Sequence, residues 1–80
     1  MDKWQQRNRP LRLERRFEFE NYQATRDFLD RLGDHNEKAN RFPDISFGST
    51  YVNITLRPEE DSNIQESDFQ FAKEIDGLLD

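Results

Sequence analysis

From Leu11 the chain alternates. Leu11, Leu13, Phe17 and Phe19 share one parity, while Arg12, Glu14, Arg16, Glu18 and Glu20 share the other. Successive side chains of a strand point to opposite faces, so this spacing predicts a half-buried strand, interrupted only by Arg15 on its apolar side. Asn21 then offers a helix N-cap, and the period widens. Tyr22, Thr25, Phe28, Leu29, Leu32, Asn36 and Ala39 recur at intervals of three and four, which predicts an amphipathic helix of roughly five turns. Asp27 and Arg31 add a favourable pair one turn apart, Gly33 weakens the middle, and Pro43 is read as the stop.

Two short strands follow. Ile45, Ser46 and Phe47 form the first, and Gly48–Ser49 is turn material. In the second, Val52, Ile54 and Leu56 face one way and Tyr51, Asn53, Thr55 and Arg57 the other, until Pro58 ends the run. Residues 59–63 are an acidic loop. Ile64 to Leu79 reads as a second helix with Phe71, Ala72, Ile75, Leu78 and Leu79 on its core side. Asp68 lies near its third position, where a carboxylate meets free amides and the positive end of the dipole. The order strand, helix, strand, strand, helix predicts an α+β two-layer sandwich: one antiparallel sheet with both helices packed on one face.

Residues 1–10 read as a flexible basic N-terminal arm and residues 11–80 as the domain. Trp4 stands out in the arm, either packed on the domain edge or presented as an anchor for a partner. At 80 residues the chain is one domain with a small core. It has no cysteine and one histidine, so disulfides are excluded and zinc is not expected. Oligomerisation is the remaining common support, and three strands leave edges that a homodimer would pair. There is no long apolar run and no signal-like start, so a protein that neither crosses a membrane nor is exported is expected. The formal charge is −5. Residues 1–16 carry six basic and two acidic side chains, residues 17–80 six basic and fifteen acidic. An acidic body repels phosphates, so no nucleic-acid partner is expected, although the basic arm suits an acidic one.

The chemistry-bearing stretch is "EKANRFPD", where Arg41, Phe42 and Asp44 sit at a tight connection. With "FEFENYQATRDFLDRL" before it, and "YVNITL" and "IQESDFQFAKEID" after it, this ordered set resembles the pterin-4a-carbinolamine dehydratases across nearly all of residues 14–79. The match runs through Phe17, Phe19, Glu37, Lys38, Pro43, Val52, Ile54, Leu56, Asp68, Ala72, Ile75 and Asp76. The resemblance implies a pterin pocket built from three histidines and an aspartate. It places the first two histidines at Arg41 and Phe42 and the third at Glu59, and keeps the aspartate as Asp68. It also implies assembly as dimers or larger oligomers.

Dehydrating a 4a-carbinolamine needs a proton delivered to the leaving hydroxyl and another removed from nitrogen, work that suits imidazole. Arginine does not release a proton in proteins, and phenylalanine has none. Glu59 opens an acidic, solvated run, a poor setting for a general base. His35 falls inside the first helix. The residues therefore read as an emptied pocket or a partner-binding surface, comprising Arg41, Phe42, Pro43, Asp44, Asn53, Glu59 and Asp68, with no catalytic residue, cofactor or metal. Chains of this kind resemble the Rubisco assembly factors of the α-carboxysome. That implies a chaperone-like homodimer in the cytoplasm, associated with the carboxysome and acting on the Rubisco large subunit. The alternatives are a weak dehydratase of 4a-hydroxytetrahydrobiopterin and a pterin-binding or transcription-coactivating relative.

Overall fold

The computed structural model describes residues 3–60 and 63–79. Residues 1–2 of the expected arm, 61–62 of the acidic loop and Asp80 lie outside them. Six main elements follow in order: β1 (Gln5–Asn8), β2 (Leu11–Glu18), α1 (Tyr22–Ala39), β3 (Asp44–Phe47), β4 (Tyr51–Leu56) and α2 (Glu66–Asp76), the last extended by a short 3-10 turn at Gly77–Leu79. The sheet is antiparallel in the order β1-β2-β4-β3. Both helices lie on one side of it, the α+β sandwich that the alternation predicts.

The alternation also sets the layers. Leu13, Phe17, Val52, Ile54 and Leu56 point from the central strands β2 and β4 toward the helices. Phe28 and Leu32 of α1, and Phe71, Ala72 and Ile75 of α2, meet them and are buried. Asn21 caps α1, its side-chain oxygen accepting the Ala24 amide at 2.9 Å. The buried Thr25 hydroxyl lies 2.9 Å from the Ser49 carbonyl, which ties the first turn of α1 to the β3–β4 connection.

The structure departs from the expected elements in three places. Residues 5–8, expected in a flexible arm, form a fourth strand paired with β2, Gln5 opposite Glu14 and Asn8 opposite Leu11. Trp4 is the reason. It is 5% exposed and meets Phe17 edge-on at 6.2 Å between ring centres. Its indole N–H donates to Asp76 Oδ1 at 2.8 Å, and Arg15 Nη1 donates to the same oxygen at 2.6 Å. Asp76 thus resolves the oddity of an arginine on the apolar parity of β2. The guanidinium reaches the carboxylate over the Phe17 ring, 4.1 Å from its centre. Second, α1 stops at Asn40, three residues before Pro43. Asn40 adopts the left-handed conformation (φ 53°), which asparagine tolerates better than most residues. Third, Tyr22 and Ala39, expected on the buried stripe of α1, and Leu79 on that of α2, are exposed.

Candidate functional site

The turn at Asn40 aims the next residue. Its amide returns to the Glu37 carbonyl (3.2 Å) and the Arg41 amide to the Asn36 carbonyl (3.1 Å), closing the end of α1. The Arg41 side chain then runs toward the start of α2. Its Nη2 lies 2.5 Å from Asp68 Oδ1 and 2.9 Å from the Arg57 carbonyl. The guanidinium carbon lies 5.0 Å from the centre of the Phe71 ring, within reach of a cation–π contact. One side chain therefore joins the end of α1, the end of β4 and the first turn of α2.

Asp68 is the third residue of α2 and is 1% exposed. Its Oδ2 accepts the Gln65 amide at 2.8 Å, while Oδ1 accepts the Glu59 amide at 3.2 Å in addition to Arg41. Burial pushes the Asp68 carboxyl up. The Gln65 amide, the Arg41 guanidinium and the Glu59 amide outweigh burial and hold it below its usual value. A carboxylate depressed in the folded state contributes stability that is fully present above its unfolded pKa of about 3.9 and is lost as pH falls through the folded value. We therefore expect the urea midpoint to fall between neutral pH and about pH 3, with a smaller fall in an Asp68→Asn variant. Equal falls in both proteins would count against this role for Asp68.

The other expected residues scatter around this pair. Phe42 is 65% exposed, Pro43 is half-buried, and Asp44 opens β3 with Oδ2 3.5 Å from Arg57 Nη2. With Arg41, Arg57 and Glu59 they border a shallow cleft of about 230 Å³. Glu59 is exposed, its Oε1 accepting the Ser67 hydroxyl at 2.9 Å. Asn53 does not join them: it lies on the helix-free face of the sheet, beside Ser46. His35 stacks on Phe71 at 5.2 Å, with Nε2 3.1 Å from Glu74 Oε1, a contact that becomes an ion pair only when the ring is protonated.

In this arrangement both oxygens of Asp68 are engaged, and the guanidinium that faces them gives up no proton. Among the described residues, no three His, Cys, Asp or Glu side chains gather as a metal site, and no helix is long and apolar enough to cross a membrane. Sequence reasoning missed two members of the site, the Arg57 carbonyl and the Phe71 ring. A main-chain acceptor leaves no sequence signal. Phe71 is read from its period as core, which it also is.

Against known proteins, the chain matches the family model described as Pterin 4 alpha carbinolamine dehydratase over residues 1–78. A protein of Rubrobacter xylanophilus, assigned by name as a pterin-4-alpha-carbinolamine dehydratase, is 39% identical over 82% of this chain and 62% of its own length. One from Methylococcus capsulatus with the same assignment is 29% identical over 95% of this chain and 67% of its own. The chain thus spans roughly three fifths to two thirds of these curated relatives. Among solved structures, a pterin dehydratase-like protein identified as a RuBisCO assembly factor in the alpha-carboxysome superposes with a TM-score of 0.85 at 39% identity, covering 98% of this chain and 94% of that one. A transcriptional coactivator/pterin dehydratase from Brucella melitensis superposes at 0.86 with 20% identity, over 100% and 85% of the two chains, a likeness of fold.

Proposed function

Starting from a chain that belongs to the Pterin 4 alpha carbinolamine dehydratase family, we propose that this member is not an enzyme but a homodimeric factor that assists Rubisco assembly through the large subunit. The observation that carries the non-catalytic reading is the buried Arg41–Asp68 pair. The resemblance expects an imidazole at position 41. Arginine there neither donates nor accepts the protons that dehydration moves, and it occupies the one carboxylate the pocket retains. Phe42 and the exposed Glu59 supply no imidazole at the other two positions. Likeness at 39% identity, over nearly the whole of both chains, to a protein identified as a RuBisCO assembly factor supports the choice of partner. The place of action on this reading is the cytoplasm, in association with the α-carboxysome.

The dimer has its own support. Ile45 and Phe47 stand opposite Ile54 and Val52 and so share their face of the sheet. β3 is an edge strand, and no β3 residue is among the buried core. Ile45 is left 37% and Phe47 56% exposed, an apolar edge that a second copy would cover.

Two measurements test the proposal together. The rate of dehydration of a chemically generated carbinolamine is expected to be the same with and without micromolar protein. The yield of soluble, active Rubisco is expected to rise on co-expression with this chain, which should scatter light as a species above its 9.7 kDa monomer. A clear acceleration of dehydration would establish the weak dehydratase in its place, in keeping with the names of the curated relatives. An unchanged Rubisco yield, with no capture of the large subunit, would retire the assembly role.

A further inference from the structure

We propose that the helix-free face of the sheet is a docking surface for an acidic protein segment, a loop or helix presenting two or more carboxylates. This rests on the partner reading above and adds where the partner binds and by what chemistry. The pairing register places Arg7, Arg12 and Arg16 of β1 and β2 on that face with Glu14 and Glu18, and Arg57 follows Thr55 on it beside Asp44. Four arginines stand against three carboxylates here, although the chain as a whole carries −5. The rest of the molecule is therefore strongly acidic, and this face is set apart by sign. A cleft of about 450 Å³ runs across it, bordered by Lys3, Gln5, Glu14, Arg16, Asn53 and Thr55.

The arginines are held in place but not used up. Arg7 and Arg12 converge on one carboxylate, Glu14, at 3.3 and 2.6 Å, two cations sharing one anion. The Arg12 hydrogen bond, with that of Arg7, outweighs burial and holds the Glu14 carboxyl below its usual value. The guanidinium carbon of Arg16 lies over the Tyr51 ring, 4.1 Å from its centre. The ring in turn lies against Gly48, where an added Cβ would collide with it. Arg16 engages a single neighbour through Nε, Glu18 at 3.4 Å, and both η nitrogens are without a hydrogen-bond partner among the described residues. With its side chain 52% exposed, Arg16 presents a pre-oriented fork to solvent. A planar two-donor fork matches a carboxylate in bidentate geometry, and ordering it beforehand lowers the entropic cost of binding. The interleaved Glu14, Glu18 and Asp44 oppose a continuous phosphate backbone. They accommodate a protein segment in which amides and cations alternate with carboxylates.

The test is binding of the full chain to the purified large subunit, beside two synthetic peptides, one glutamate-rich and one lysine-rich, and a DNA duplex. We expect affinity for the large subunit to fall about tenfold or more between about 50 and about 300 mM salt. Arg16→Glu should lower it at least about tenfold, and Arg16→Gln by less, with circular dichroism unchanged and Lys73→Ala, which removes an exposed cation from the helical layer, binding as the parent does. The glutamate-rich peptide should shift the amide resonances of Arg16 and Tyr51, whereas the lysine-rich peptide and the duplex should not. Parental binding by Arg16→Glu, or an equal loss of binding by Lys73→Ala, would overturn the proposal, as would tighter binding of the duplex than of the glutamate-rich peptide. If the parent fails to bind the large subunit yet the glutamate-rich peptide shifts Arg16 and Tyr51, the acidic-segment surface stands and the choice of partner falls. If neither binds, both fall.

Discussion

Asp68→Ala is expected to leave this domain largely unfolded at temperatures where the parent is stable. The substitution strands the Arg41 guanidinium, whose side chain is only 17% exposed, and removes the acceptor for the Gln65 and Glu59 amides. Breaking a buried pair from one side costs roughly 3–5 kcal/mol. An 80-residue domain holds about 4–12 kcal/mol in all, at roughly 0.05–0.15 kcal/mol per residue. Urea unfolding followed by circular dichroism measures the loss. Arg41→Ala should cost a similar amount, because it leaves a 1% exposed carboxylate without its counter-ion. Removing both charges together, as Arg41→Met with Asp68→Leu, should recover part of the loss, since a well-packed apolar pair can replace a buried ion pair. A cost below about 1 kcal/mol for either alanine variant would show that the pair does not hold the site together.

Trp4→Ala should be comparably damaging, at about 3–5 kcal/mol for a buried large aromatic. It removes the ring against Phe17 and one of the two donors to Asp76 Oδ1. The four residues of β1 are all exposed, so little besides the β2 ladder and Trp4 keeps that strand on the sheet. Amide hydrogen exchange should accelerate in β1 first, while β4 in the interior of the sheet stays protected. Trp4→Phe keeps most of the apolar contact and loses the hydrogen bond to a charged group, so about 1–3 kcal/mol is expected. The chain has a single tryptophan, so its fluorescence reports this strand directly. Emission already typical of a solvated indole in the native parent would contradict the buried placement.

Part of the site was legible beforehand. Asp68 was read as a carboxylate at the start of α2 from its position alone, and Arg41 was singled out as a cation at a tight connection. The pairing of the two, across 27 residues of sequence, was not read. It depends on where Asn40 turns the chain and how the end of α1 sits beside the start of α2. Asn53 stands apart from that pair. Strand parity, legible beforehand, puts it on the helix-free side of the sheet, opposite Ser46.

By itself the sequence determined the elements whose signal is local. The alternation of Leu13, Phe17, Val52, Ile54 and Leu56 specifies β2 and β4. The three-and-four spacing of Thr25, Phe28, Leu32 and Asn36 specifies α1, and Asn21 sets its start. These follow because backbone period and side-chain direction are properties of each segment alone. Tertiary structure alone decided the rest. Gln5–Asn8 is polar on both parities and became a strand only because β2 offered a ladder and Trp4 found a core. Ile45 and Phe47 have the parity of core residues yet remain exposed, because β3 lies at the sheet edge beyond the helical layer. Arg15 breaks its strand's pattern until Asp76, 61 residues away, reaches its guanidinium. Each of these outcomes depends on which surface a segment meets, and that surface is assembled from chain far away in sequence.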